Sequence, residues 1–214
     1  MTIFLARHGE TDWNIQGRMQ GRLGAALNAR GRSQAAALAR AARALSVRAV
    51  VCSSLPRAVE TATVVAREMG LDCAPCDALQ EIDFGECTGL TEAEIAQRHP
   101  TLHAARRADK WNHRWPGGES YADAASRLRR AIERGELPGE AGTLVIAHQS
   151  VNRALSHILS RRAPEEMLQM AQRSDVLLRF ARDGAMDHAV VPEEEGAALV
   201  WLPGPYLAGK GNLN

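Results

Sequence analysis

Several things are scarce in this chain, and each scarcity removes a class of explanation. No stretch approaches the roughly 18 apolar residues that a membrane-crossing helix needs, so no membrane partner is expected. The N-terminus has neither a basic leader nor a long apolar run, so a cytoplasmic location is expected. Charge of one sign is not in excess: 26 Lys+Arg against 25 Asp+Glu leave +1 over 214 residues. That balance gives no electrostatic reason to expect nucleic acid. Cysteine is limited to Cys52, Cys73, Cys76 and Cys87. Cys73 and Cys76 form a CxxC, but no second pair exists to complete a zinc site, and no helix follows as in a redox motif. The four read as small buried hydrophobes in a reducing compartment. His99 and His103 are four apart, yet the glutamate of an HExxH is missing between them, so neither a metal nor a cofactor is expected. Gly209-Lys210-Gly211 lacks the spacing of a P-loop. Serine/glycine linkers, repeats and composition shifts are absent, so residues 1–214 are expected to form one domain, large enough to bury a core without staples.

What is present is an alternation of strand-like and helix-like segments. "TIFLA" (2–6) and "TLVIA" (143–147) are short apolar runs that suit buried strands. "RAVVC" (48–52) and, more weakly because of Pro75, "CAPC" (73–76) read the same way. Helices are expected over 31–46 with Ser33 as cap, 57–69 ending at Gly70, 91–113 with a break at Pro100, 119–134 and 150–161. Residues 175–181 and 186–191 read as two last strands joined at Asp183-Gly184. Such alternation implies an α/β sandwich around a mostly parallel sheet. Residues 83–116 are expected to be a mostly helical insertion over the sheet edge, and the tail from 203 to 214 to be loose.

Two of the strands end alike. "TIFLA" runs into Arg7-His8 and "TLVIA" into His148, so both histidines leave a parallel sheet at its carboxyl edge, where open α/β folds bind ligands. If the two strands are neighbours, about 4.8 Å apart, the histidines face each other. A third strand leads through "SSLPRA" to Arg57. "EIDFG" then places Glu81 beyond the next strand. Arginines at such an edge suit a dianion, because the guanidinium fork matches phosphate oxygens. Two arginines, two histidines and one carboxylate suit phosphoryl transfer through a histidine nucleophile.

The stretches "ARHGETDWNIQGRMQG" (6–21), "SSLPRAVETA" (53–62), "EIDFGECTGLT" (81–91), "PGGES" (116–120) and "LVIAHQSVNRAL" (144–155) occur in the order that makes the chain resemble the histidine phosphatase superfamily, the phosphoglycerate-mutase-like group. The resemblance covers about residues 2–160. It implies a three-layer α/β/α sandwich. It also implies His8 as the phosphorylated nucleophile, Arg7, Arg57 and His148 as the phosphate pocket with Asn14 as a further ligand, and Glu81 as proton donor. Gln20 and Gly21 are expected beside the substrate. The acidic residue and Pro-Leu that often follow this Gln-Gly pair are replaced by "RLGAAL" (22–27), and Gln149 stands where glycine is common after His148.

Mutases of the group carry a longer insertion and Arg-His-Tyr after the acid, whereas Ile82-Asp83-Phe84 stand here. That favours a phosphatase over a mutase-type phosphotransferase. A non-catalytic phospho-ligand scaffold would have lost His8, Glu81 or an arginine, and none is lost. "HQSVNR" (148–153), "RRADKWNHRWPGGESY" (106–121) and "EIDFGEC" are similar to the phosphatase domain of fructose-2,6-bisphosphatases. That likeness implies Arg106, Lys110, Tyr121, Gln149 and Arg153 as contacts for a sugar phosphate, although Glu92 stands where the subgroup has tyrosine. Read without it, Arg106 and Lys110 are equally well ordinary solvated charges, and Trp111 and Trp115 either line the pocket mouth or anchor the insertion. The expected partner is a small phosphorylated metabolite. Whether the chain forms a homodimer is left open.

Overall fold

A computed structural model describes residues 2–137 and 141–207. The elements in chain order are β1 (Thr2–Arg7), α1 (Asp12–Ile15), α2 (Ala29–Ala44), β2 (Ala49–Ser53), α3 (Pro56–Met69), β3 (Cys73–Cys76), α4 (Glu92–Arg98), α5 (Pro100–Ala108), α6 (Tyr121–Glu133), β4 (Thr143–Ala147), α7 (Gln149–Ser160), α8 (Pro164–Gln169), β5 (Val176–Ala181), β6 (Met186–Val190) and β7 (Leu202–Pro203). The strands form one sheet in the order β3-β2-β4-β1-β5-β6-β7. β3, β2, β4 and β1 are parallel, and β5 to β7 add an antiparallel flank.

Side chains of a strand alternate between faces, and the two cores follow that rule. Ile3, Leu5, Val51 and Val145 face a core shared with Leu128 of α6 and Val151 and Leu155 of α7. Phe4, Ala6, Val50, Leu144 and Ile146 face the opposite core with Ala37 and Leu38 of α2 and Val65 of α3. Every residue of β4 is buried, as a strand covered on both faces must be. The α/β/α sandwich with a parallel core is therefore the architecture.

Local expectations needed several corrections. Ser33 is not a cap: Asn28 caps α2, its side chain accepting from the Gly31 amide, and the helix starts four residues before Ser33. The helical reading of 91–113 stops at Ala108, because Asp109 turns the chain and its carboxylate accepts from Asn112. The break at Pro100 is present, with α4 and α5 on either side. Residues 203–207 are not loose. Pro203 pairs with β6, Leu207 bridges to Met170, and the Ala171 amide donates to the Tyr206 carbonyl. The rest of the tail, with Gly209-Lys210-Gly211, lies outside the described residues. α1, α8 and β7 have no counterpart in the sequence reading, being too short to show a period. No helix among the described residues is long and apolar enough to cross a membrane.

Candidate active site

The site begins where β1 and β4 end. These strands are neighbours in register, Arg7 opposite Ala147, and the His8 amide extends the ladder by donating to the Ala147 carbonyl at 3.0 Å. The rings of His8 and His148 consequently lie 5.1 Å apart, tilted by 57°. The sharp exit after His8 demands Gly9. A Cβ there would stand 2.3 Å from the carbonyl oxygen of Gly31, because the loop is pressed onto the first turn of α2.

His8 is buried, and its two nitrogens have distinct tasks. Nδ1 lies 2.7 Å from the Gly9 carbonyl, an acceptor only, so Nδ1 carries the proton. Nε2 is thereby left with a lone pair and accepts from Arg57 Nε at 3.1 Å. Burial, then the charges of Arg7 and Arg57, hold its pKa well below the ordinary histidine value, so the ring is neutral near pH 7.

Arg57 sits in the first turn of α3, behind Pro56 at the position where proline suits a helix start. Its Nη atoms donate to the carbonyls of Leu23 (2.7 Å) and Gly21 (2.8 Å), which ties the 20–24 loop to the site. Burial lowers its pKa to about 10, which leaves it charged at neutral pH. Arg7 donates to the carbonyl of Gln172, and its Nε is buried without a partner among the described residues. Apart from Arg57 Nε on His8, the engaged guanidinium donors thus go to carbonyls, and none of these contacts neutralises the positive charge. Asn14 adds another donor: its Oδ1 accepts from the Thr11 amide and hydroxyl in a capping box, which turns its Nδ2 away from the helix end.

Glu81 is held at the N-terminus of α7. Its Oε1 accepts from the amides of Ile82 (2.9 Å) and Val151 (3.2 Å), and Oε2 from the amide of Ser150 (3.3 Å). A negative group at a helix start is favoured by the unpaired amides there. The irregular segment that carries Glu81 is clamped by the "PGGES" stretch. The Glu119 amide donates to Asp83 O and the Glu86 amide to Pro116 O, while Arg127 joins Glu119 to the carbonyls of Ala78 and Gln80. A Cβ on Gly118 would stand 2.2 Å from Asp83 O, so the clamp closes only on glycine.

These groups line a cavity of about 400 Å³ whose outer wall comes from the 83–116 stretch. Arg7, Arg18, Arg57, Arg106, Arg107, Lys110 and Arg153 line it against only Glu81 and Glu92, a surplus of positive charge that suits an anionic ligand. Asn14, Gln20, Tyr121 and Gln149 are on its wall as well. His148 and Gly21 are buried and stand behind that wall, with the Gly21 carbonyl accepting from Arg57.

The reading of Arg106 as a solvated charge is overturned: it is 92% buried, donates to His113 O at 2.9 Å, and lies 3.6 Å over the Trp115 ring. Lys110 is exposed at the cavity mouth. Arg153 donates to the Tyr121 hydroxyl at 3.0 Å and to Met170 O, and burial, opposed by the charges of Arg153 and Lys110, leaves the phenol below its ordinary pKa. Trp115 lines the cavity, whereas Trp111 stacks on Tyr121. Of the two metal-weighed histidines, His103 meets Glu92 at the cavity wall, at 3.2 Å.

Sequence reasoning missed the supports. Gln172 and Asn152 form a buried amide pair beneath Arg7, with Asn152 Nδ2 donating to Ala6 O and Gln172 Oε1, and Gln172 Nε2 donating to Leu5 O. Ser53 contacts His148 at 2.8 Å. Arg18 and Arg107 were in view but not singled out. Neutral residues far apart in the chain carry no local signal of such pairing. Of the four cysteines read as buried, Cys52 and Cys87 are, whereas Cys73 and Cys76 are half-buried, and Cys73 Sγ lies 3.1 Å from Cys52 Sγ across two strands.

The model of the histidine phosphatase superfamily (branch 1) matches residues 3–186. The chain belongs to this superfamily. It is 40% identical over 167 residues to a 6-phosphofructo-2-kinase/fructose-2,6-bisphosphatase of Gallus gallus, a match covering 77% of this chain and 34% of the relative. The chain thus spans about a third of the length of the curated relatives it matches. Among solved structures, a mycobacterial glucosyl-3-phosphoglycerate phosphatase complexed with VO3 superposes with a TM-score of 0.72 at 27% identity, over 97% of this chain and 98% of that one. The alpha-ribazole phosphatase of Shigella flexneri superposes with a TM-score of 0.73 at 26% identity, over 99% and 100%. The superfamily's order of motifs is therefore present here on the superfamily's fold.

Proposed function

We propose that this superfamily member is a phosphomonoesterase for small sugar phosphates, working through a phosphohistidine on His8. The observation that carries the reading is the unprotonated Nε2 of His8, fixed by the Gly9 carbonyl and flanked by two guanidinium groups. A neutral imidazole with its lone pair directed among cations is a nucleophile for a phosphoryl dianion. Arg7, Arg57, His148 and Asn14 hold the non-bridging oxygens, so that charge moving onto them in the transition state meets fixed donors. Glu81 gives a proton to the departing alkoxide, and the alcohol leaves. Water then attacks the phosphohistidine, Glu81 takes its proton, and inorganic phosphate and free His8 are regenerated.

Arginines supply the charge neutralisation that a metal gives in other phosphatases, so turnover persists in EDTA. Specificity rests with the outer wall. Arg106, Lys110 and Arg153 take a second anionic group, while Tyr121, Gln149 and Gln20 bond sugar hydroxyls and Gly21 keeps Arg57 in place. The relatives named for fructose-2,6-bisphosphatase and glucosyl-3-phosphoglycerate phosphatase support this substrate class.

The test is His8→Ala together with wild type on a panel of sugar phosphates, with EDTA present. Wild type should turn over and yield trapped acid-labile phosphate, and His8→Ala should fall to background. Vanadate should inhibit, since its trigonal bipyramid mimics the transition state. Full activity in His8→Ala, or abolition by EDTA, refutes the proposal.

A further inference from the structure

His148 is completely buried, and its two ring nitrogens differ sharply in their surroundings. Nε2 lies 2.8 Å from Ser53 Oγ, whereas Nδ1 is buried with no hydrogen-bond partner among the described residues. The Ser53 hydroxyl is itself buried, and one of its lone pairs is already used by the Leu55 amide at 3.2 Å. A hydroxyl has one proton to give and two lone pairs to accept with. Two assignments of the Ser53–His148 proton are conceivable. If Nε2 carried it, Ser53 would accept twice and its own proton would need another acceptor, which no described residue supplies. If Ser53 donates, hydroxyl, amide and Nε2 are all satisfied at once and only the Nδ1–H is left over, whereas the alternative strands both the Ser53 proton and the Nδ1 lone pair.

We propose that Ser53 is a positioning residue: its hydroxyl donates to His148 Nε2 and so fixes that ring as the Nδ1–H tautomer. The unpartnered N–H then belongs to a ring 5.1 Å from His8, beside the Arg7–Arg57 cluster. Like Arg7 Nε, it is a buried donor of that cluster with no acceptor among the described residues, and it is held for an oxygen of the transferred phosphoryl group. The backbone makes the arrangement rigid. Ser53 is the last residue of β2, which neighbours β4, and the Leu55 amide that pins its hydroxyl leads directly into α3 and Arg57. One short segment thus orients both a guanidinium and an imidazole. The inference rests on the reading of the cluster as a phosphoryl site for its consequence, but not for its first readout.

That readout is the nitrogen NMR spectrum of protein labelled with 15N-histidine, near pH 7, with His148 assigned from its loss in His148→Gln. The wild type should show His148 protonated at Nδ1 and bare at Nε2. Ser53→Ala should move the population toward Nε2–H and lower kcat by about a hundredfold, the scale of losing one aligned donor, with KM changed less than threefold. Ser53→Thr, which keeps the hydroxyl, should restore both. Nε2–H in the wild type overturns the proposal, as does loss of kcat in Ser53→Ala with the tautomer unmoved, or a moved tautomer with kcat intact. If Ser53→Ala fails to fold, the wild-type spectrum and Ser53→Thr still decide. A wild type inactive on every phosphate ester would defeat the proposed function while leaving the tautomer measurable.

Discussion

Replacing Glu81 by glutamine separates its chemical role from its structural one. The carboxylate accepts from three amides, two on Oε1 and one on Oε2. Glutamine can keep the Oε1 pair but sets its NH2 against the Ser150 amide, donor against donor. One lost bond and one unsatisfied buried amide cost about 1–3 kcal/mol of stability. At about 2–4 °C per kcal/mol for a chain of this size, the melting temperature should fall by a few degrees and the fold survive. The catalytic loss is larger and depends on the leaving group. A sugar alkoxide needs the proton, and removing a general acid costs roughly 10²–10⁴-fold in rate. Nitrophenolate leaves without one. The assay is kcat/KM for a sugar phosphate and for nitrophenyl phosphate, in wild type and Glu81→Gln. The ratio of the two should drop at least about a hundredfold. Any shift of α7 caused by the substitution would affect both substrates alike, so equal losses refute the acid role and leave Glu81 as a prop for the helix.

Three further outcomes follow from the same geometry. Burial holds the folded pKa of His8 and His148 far below the unfolded value of about 6.5, so their contribution is complete above that pH and is lost as pH falls below it, while the unfolded chain gains protons the native one refuses. The unfolding free energy from urea titrations should therefore decline from pH 7 to 5 with a slope of up to about 2.7 kcal/mol per pH unit from the pair, roughly half of it removed in His148→Gln; a slope unaltered in that variant contradicts the assignment. Gly118→Ala should cost about 1–3 kcal/mol or more because its methyl meets the Asp83 carbonyl, and should depress alkoxide substrates as the Glu81 segment shifts. Gly117→Ala, with open space at φ +69°, should cost about 1 kcal/mol and spare activity. Lys110→Ala should lose about tenfold to a hundredfold in kcat/KM on fructose bisphosphates, the scale of one charge-assisted contact, and nothing on nitrophenyl phosphate, whereas no loss on either leaves Lys110 a surface charge.

The chain's own residues determined the parallel core and the strand-end groups of the candidate site. β1 and β4 could be read because a strand buried on both faces must be apolar throughout, and the switch to Arg7-His8 or His148 marks where it meets the ligand edge. Arg57, four residues past the buried β2, was legible in the same way, whereas Glu81 lies five residues past the half-exposed β3 and was legible from the motif it opens. What only the tertiary structure decided is how those groups are held. Ser53 beneath His148, Gln172 and Asn152 beneath Arg7, and Arg127 on the Gln80 carbonyl beside Glu81 bring together residues from separate elements, and a hydrogen bond across 20 to 165 positions leaves no periodicity behind. Arg106 shows the limit most plainly: on a helix surface it is indistinguishable from Arg107, and only the Trp115 ring folded under it makes it part of the wall. Local pattern reflects burial against a sheet, which repeats along the chain. The supports of a site are single contacts, and those exist only once distant segments have met.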